Sequence, residues 1–406
     1  MPVRATKRGG ERTPLEGSYD VLICGASFAG LSVARELAGT GARVLLIDRY
    51  EIGERQTSAC AAPTEWLRAL DLEDSVRQTF EELVVHTPQV TVRMGLPWTF
   101  STFDYRSLCG LLWEQCDAEF ETAKVERRGE PPNGEAGSFT AARPDPPAPR
   151  RTAAAGISVV TDRGELTAPL VVDALGWRRL LGSGDNVQPP EARLSRGLEV
   201  HPWASNDDLE IWIERGVVPA GYGWSFPAGE EVRVGVGSFD PRFHVKQPTV
   251  ELAERLGVRS VRYQGNWIPH QMRRPVEDSV FFAGDSAGHC LPTTAEGIRT
   301  AFYFGLACGR ELRLVADGLQ TREQALTRYA SFCDEHEYAF RWLLHVQRLV
   351  GRVNPHPAMT TGLRLMSHPA FVTWAFRHYL AIAPPEFALD GAAPFAGLAP
   401  ARALAA

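Results

Sequence analysis

Lysine is scarce in this chain. Of 43 basic residues only Lys7, Lys124 and Lys246 are lysines, and against 49 acidic residues the net charge is −6. That balance gives no basic field of the kind that gathers nucleic acid, so small molecules are the expected partners and nucleic acid is not. Long apolar runs are missing too. Nowhere do about 18 apolar residues follow one another, and the opening stretch MPVRATKRGGERTPLEGS lacks the apolar core of a signal peptide, so the expected location is cytoplasmic. The seven cysteines are widely spaced with no Cys-x-x-Cys pair, which argues for neither a disulfide framework nor a metal site. What is present is 406 residues, 44% of them hydrophobic, enough for a large core and two or three domains.

The informative stretch begins at Tyr19. An apolar run, Val21 to Cys24, meets a turn of small residues, Gly25 to Gly30, then a helix-period pattern, then Val44 to Ile47 closed by Asp48. This order is a βαβ unit. In a Gly-x-Gly-x-x-Gly turn the first glycine makes the bend, the second admits a pyrophosphate, and the third lets helix and strand pack closely. Those places hold Gly25, Ser27 and Gly30. Serine departs from the pattern, but it is small and its hydroxyl can donate to phosphate. The helix opening at Phe28 and Ala29 aims its amides at the same phosphate. Asp48, followed by Arg49, ends the second strand where a carboxylate receives the hydroxyls of an adenosine ribose. The unit binds a dinucleotide without separating NAD from FAD.

Further along, PTEWLRALDLEDSVRQTFEEL and DYRSLCGLLWEQC have helical periodicity. Residues 127–152 form a Pro-, Gly- and Ala-rich insertion expected to be flexible. Strand patterns return in GISVVTDRG and LTAPLVVDALG, and four more lie between Ser195 and Asp240, which predicts an antiparallel sheet. A buried strand, SVFFAGD, then precedes a long helix, AEGIRTAFYFGLACGREL. Helical patterns run on to about Leu380. Residues 1–17 and 386–406 are expected to be disordered ends.

The run VFFAGDSAGHCLPTTAEGIRTAFYFG resembles the second FAD motif of the flavoprotein superfamily that includes aromatic hydroxylases, flavin halogenases and geranylgeranyl reductases. The resemblance covers Tyr19 to Leu312. It implies an α/β fold with a Rossmann-type FAD-binding domain (glutathione-reductase-like, aromatic-hydroxylase subtype), an antiparallel-sheet substrate domain and C-terminal helices. The FAD domain would comprise residues 18–126, 153–190 and 278–322, the substrate domain 191–277, and the helical region 323–385. In the family, Gly284 and Asp285 hold the ribityl and pyrophosphate-proximal groups, and Pro292, Gly297 and Ile298 lie against the isoalloxazine. A helix N-terminus near Glu296 would then face the flavin edge that carries negative charge on reduction. Arg106 matches an arginine that approaches the cofactor.

Three chemistries follow from the resemblance. The first is a geranylgeranyl reductase, since GYGWSFP matches that branch's Tyr-x-Trp-x-Phe-Pro at Tyr222, Trp224, Phe226 and Pro227. Alternation sets the three aromatics on one face of a strand, as an apolar cavity wall or as sheet packing. Cys60 matches a branch cysteine and His289 stands in the flavin loop, which makes them the candidate proton donors, although a thiol with its ordinary pKa is a weak acid for an alkene. The second is a monooxygenase or halogenase. VVDALG puts Leu175 where hydroxylases have aspartate, and neither Lys124 nor Lys246 has the sequence placement a halogenase requires. The third is a redox-neutral cyclase, for which Glu199, Glu210 and Glu214 are the nearby acids, read as mostly solvated. The implied partners are FAD, a hydrophobic small molecule and an external reductant, NAD(P)H or a ferredoxin. The C-terminal aromatics Trp342, Trp374, Phe376 and Tyr379 fit core packing or, alternatively, contact with a membrane surface.

Overall fold

The computed structural model describes residues 13–56, 58–129, 156–183, 194–352, 361–362, 364–365 and 367–389. The opening unit is β1 (Val21–Cys24), α1 (Phe28–Glu36) and β2 (Val44–Asp48). Next come β3 (Ala61–Pro63), α2 (Thr64–Ala69), the long hairpin of β4 (Val76–His86) and β5 (Thr91–Phe103), and α3 (Tyr105–Glu114). Strands β6 (Glu119–Thr122), β7 (Val125–Arg128), β8 (Ile157–Thr161), β9 (Gly164–Ala168) and β10 (Leu170–Asp173) lead into the second half. That half holds β11 (Leu194–Val200), β12 (Leu209–Trp212), β13 (Gly221–Ala228), β14 (Glu231–Ser238), α4 (Lys246–Arg255) and β15 (Gln264–Pro269). After β16 (Val276–Glu277) and β17 (Val280–Phe282) the chain is helical, with α5 (Ile298–Ala316), α6 (Arg322–Arg352), α7 (Pro369–Leu380) and α8 (Glu386–Leu389).

Six strands form the dinucleotide sheet in the order β16-β17-β10-β1-β2-β6, with every pair parallel except β16 with β17. Its strands are apolar on both faces, as a sheet covered on both sides must be. Val21, Ile23, Val44, Leu46 and Val172 face the helical core, while Leu22, Cys24, Leu45, Ile47 and Val171 face the small sheet β7-β8-β9. Close approach sets the helix positions. A Cβ at Gly30 would overlap the Gly25 carbonyl, and Cβ atoms at Gly305 and Gly309 of α5 would come within 2.8 Å of the Ala29 carbonyl and 2.6 Å of Glu36 on α1.

The second sheet has the order β15-β11-β14-β13-β12-β4-β5-β3, antiparallel except where β12 meets β4. It is larger than the sequence predicts. The helix expected over PTEWLRALDLEDSVRQTFEEL stops at Ala69, and β4 starts at Val76 and pairs with β5 and β12, so residues 76–103 join the second sheet. Its glutamates favour a helix, but the sheet neighbours decide.

The expected ends also change. Leu15 is buried and its amide donates to the Arg163 carbonyl, while α8 packs Phe387 and Ala388 into the core beneath Arg310, so residues 13–17 and 386–389 are structured. Residues 1–12, 390–406 and 130–155, which hold most of the expected insertion, lie outside the described residues; Arg127 and Arg128 belong to β7. Among the described residues no helix is long and apolar enough to cross a membrane.

Candidate functional site

The parallel strands β1, β2, β10 and β17 all end on the same side of their sheet, which is where open α/β sheets receive ligands. A cavity of about 1110 Å³ opens there and extends across one face of the second sheet. Ser27, Asp48 and Asp285 line one part of it, and Tyr222, Trp224 and Phe226 line another.

The first part fits FAD. Two helices bring N-termini to the cavity, α1 at Ser27 and Ala29 and α5 at Gly297 and Ile298, and no side chain caps either one. Such amides need an acceptor, and the helix dipole favours an anionic one. Ser27 accepts a hydrogen bond from the Tyr105 hydroxyl at 3.1 Å, which leaves its own proton free to donate. Asp48 ties the turn together, accepting from the amides of Ala26 at 2.9 Å and Tyr50 at 3.0 Å. Burial raises its pKa and these amides oppose the rise. Arg49 lies over the Tyr50 ring at the same end.

Asp285 follows Gly284 and makes no side-chain hydrogen bond among the described residues, yet burial pushes its carboxyl up to about 6, with Arg273 pulling the other way. A Cβ at Gly297 would stand 3.5 Å from an Asp285 oxygen, so this carboxylate sits beside the start of α5. A partly buried carboxylate on the cavity wall, with no protein donor on it among the described residues, suits the hydroxyls of a ribityl chain. The residues present thus fit FAD, with Ser27 and α1 toward its pyrophosphate, Asp48 toward its ribose, and Asp285 and α5 toward its flavin end.

At the second part, alternation along β13 aims Tyr222, Trp224 and Phe226 into the cavity as a ladder, with ring centroids 6.0 and 6.4 Å apart. The Tyr222 hydroxyl donates to the Thr294 carbonyl in the flavin loop, which links the sheet to the cofactor end. Pairing sets Trp224 opposite Gly235 on β14, and Gly235 opposite Glu199 on β11. A side chain at Gly235 would overlap the indole. Its absence lets the ring lie across β14, where Nε1 donates to Glu199 Oε2 at 3.2 Å.

A model of the FAD-dependent oxidoreductase family matches residues 20–98, which include the glycine turn and Asp48. Digeranylgeranylglycerophospholipid reductase 3 of Methanosphaera stadtmanae is 24% identical over 353 residues, 78% of this chain and 83% of that protein. The chain is an FAD-dependent oxidoreductase. Its fold is that of a geranylgeranyl bacteriochlorophyll reductase-like protein of Thermoplasma acidophilum, with a TM-score of 0.73 at 16% identity over 91% of this chain and 97% of that one. An anhydrotetracycline hydroxylase of Streptomyces rimosus shares the fold at a TM-score of 0.60 and 19% identity over 94% of this chain and 78% of that one. The chain matches only 28% to 37% of the length of seven other curated geranylgeranyl and digeranylgeranylglycerophospholipid reductases.

Several residues singled out in the sequence stand elsewhere than expected. Cys60 is fully buried in the helical core, in a left-handed turn with φ of 55°; its neighbours Ala59 and Ala61 line the cavity and its thiol does not. Burial pushes that thiol well above its ordinary pKa, against the pull of Arg233, which makes it a still weaker acid. His289 is also fully buried, stacked 3.9 Å from Phe304, with neither ring nitrogen bonded. Burial first, then the charges of His336 and Arg179, hold it neutral, and it does not line the cavity. Neither side chain faces the cavity.

Gly25 and Gly30 build the turn from behind, Arg106 is exposed beside Gly53, and Pro292 and Pro227 offer their carbonyls to Gln347 and Thr102, all outside the cavity wall. Lys124 and Lys246, set aside in the sequence, both stand on the cavity wall as exposed residues. Glu199, named in the sequence as one of three acids near the sheet, stands elsewhere than expected. Read as a mostly solvated strand residue, it is 3% exposed and lines the cavity. The only sequence signal was the glycine pair Gly235 and Gly237, which clears space on the cavity face of the neighbouring strand. Among the described residues no group of three or more His, Cys, Asp or Glu is placed to hold a metal.

Proposed function

We propose that this oxidoreductase saturates C=C bonds of a hydrophobic, isoprenoid-like substrate. The observation that carries the reading is the cavity wall: beyond the ladder of Tyr222, Trp224 and Phe226 it continues in Ile211, Leu83 and Leu96, an apolar surface suited to a long unbranched or methyl-branched chain. The similarity to archaeal and plant proteins named as geranylgeranyl reductases supports it. Reduced FAD, when bound, supplies the hydride. Tyr222, Trp224 and Phe226 hold the alkene by contact and exclude water, and the Tyr222 bond to the Thr294 carbonyl fixes the ladder against the loop that meets the cofactor. The electron donor is an external reductant, NAD(P)H or a ferredoxin. Exposed Phe371 and Trp374, on the same helix as cavity-lining Phe376 and Tyr379, support a peripheral membrane contact as the source of such a substrate.

The competing reading, a monooxygenase or halogenase, draws on the hydroxylase fold likeness and on the lysines at the wall. Trp224→Ala separates substrate handling from cofactor binding. The variant should keep FAD and reoxidise slowly with a prenyl alkene under anaerobic conditions. Unchanged reoxidation would remove the aromatic wall from the account.

A further inference from the structure

Saturating an alkene takes a proton as well as a hydride, and the two residues with sequence claims to that role lie outside the cavity. On the cavity face of the second sheet, one cross-strand row runs Gln264, Glu199, Gly235, Trp224 and Ile211 across β15, β11, β14, β13 and β12. Glu199 is the carboxyl group in that row. Its Oε1 meets His201 Nε2 at 3.0 Å and accepts from Gln264 Nε2 at 3.2 Å, while Oε2 accepts from Trp224 Nε1. A carboxylate offers about four lone-pair sites, so three are engaged and one, on Oε2, remains.

Behind Glu199 a line of titratable groups leads outward. His201 is 7% exposed, and its Nδ1 stands 4.0 Å from Glu231 Oε1, a gap closed by a small shift of either side chain. Glu231 is partly exposed. It is flanked by Arg233, whose Nη2 meets Oε1 at 3.0 Å, and by exposed Arg262 at 3.4 Å from Oε2. Arg233 also donates to the Cys60 carbonyl at 3.2 Å, and Gln264 to the Ser58 carbonyl at 3.2 Å, so the segment before β3 closes the group from the cofactor side. The charged and titratable groups around His201 and Glu199 are therefore Glu231, Arg233, Arg262 and the Cys60 thiol.

We propose that Glu199 is the proton donor to the substrate alkene, recharged from solvent through His201 and Glu231; this deepens the alkene-reductase reading and rests on it. The π pair of the C=C closes on the proton of Oε2, forming one C–H bond. The hydride from the reduced flavin, carrying its two electrons, forms the other. Glu199, left as carboxylate, takes a proton at Oε1 from protonated His201, and His201 regains one from solvent by way of Glu231. A half-turn of the carboxyl group then returns the proton to Oε2.

The test is anaerobic single-turnover reoxidation of FAD-loaded, dithionite-reduced protein by a geranylgeranyl compound, read against pH. Glu199→Gln should keep FAD and accept electrons from dithionite, yet reoxidise about 100-fold or more slowly, the range general acids supply. Glu199→Ala should regain rate on adding a small carboxylic acid, which a structural role for Glu199 would not produce. In the resting protein, 15N NMR should show the His201 Nε2 resonance displaced in Glu199→Gln, because the carboxylate oxygen it meets at 3.0 Å is gone. A Glu199→Gln rate within about threefold of wild type, or a His201 Nε2 resonance that does not move, overturns the relay. Wild-type protein that no prenyl alkene reoxidises overturns the reductase reading itself, before any variant is made, and the relay falls with it.

Discussion

Gly235→Ala tests the packing on which the site depends. The new methyl would overlap the Trp224 indole and come within 2.8 Å of the Glu199 Cβ. The backbone of β14 is held by β11 and β13 on both sides and cannot retreat, so the indole must leave and its bond to Glu199 breaks. Overpacking a closed site costs about 1–3 kcal/mol, and losing an N–H bond to a carboxylate about 1.5–3 kcal/mol more. Alanine in place of glycine returns about 0.4–1 kcal/mol by restricting the unfolded chain. The net loss is about 2–5 kcal/mol. Gly237→Ala is the internal control. Two residues along the same strand face, its Cβ would meet Trp224 Cζ3 at 3.4 Å and the next atoms only at 4.0 Å, so it should stay within about 1 kcal/mol of wild type. Urea denaturation of the three proteins, followed by circular dichroism and by release of FAD fluorescence, measures both. Equal stability of the two variants would show that the indole does not lie where the structure puts it.

Other outcomes follow from single residues. Gly30→Val should yield protein without FAD, since even a Cβ there overlaps the Gly25 carbonyl; a yellow, stable variant contradicts the turn. Asp285 has a folded pKa of about 6, above the roughly 3.9 of an unfolded aspartate, so the folded apo-protein holds a proton that the unfolded chain has already lost. Apo-protein stability should therefore fall as pH rises through that window, and Asp285→Asn should abolish the fall, both read from thermal melting against pH. Trp374→Asp should reduce cosedimentation with anionic lipid vesicles while leaving flavin content unchanged; equal cosedimentation removes the membrane contact.

Much of the cofactor end was legible because its residues obey local rules. The unbroken apolar runs from Val21 to Cys24 and from Val44 to Ile47, the small residues at Gly25 and Gly30, and the acid at Asp48 each need only their own segment to be read. The α5 helix was placed within a few residues on the same grounds, as was the aromatic face of β13, where period-two alternation held. What failed depended on partners far away in sequence. The glutamates in β4 suggested a helix until β12 and β5 paired with it. Cys60 was assigned by its neighbours, but a left-handed turn sends Ala59 and Ala61 to the cavity and the thiol to the core. Glu199 has the composition of a solvated strand residue. Only the sheet register, which sets it in line with Trp224 and Gln264, reveals it as a buried acid facing the cavity.

The central claim is that the cavity carries out alkene saturation and not oxygen insertion. The most direct measurement is the mass of the product formed when dithionite-reduced, FAD-loaded protein meets a geranylgeranyl substrate without oxygen. The account predicts flavin reoxidation together with a product heavier by two hydrogens for each bond reduced. A reaction that runs only with oxygen present, and gives a product carrying added oxygen or halogen, would contradict it.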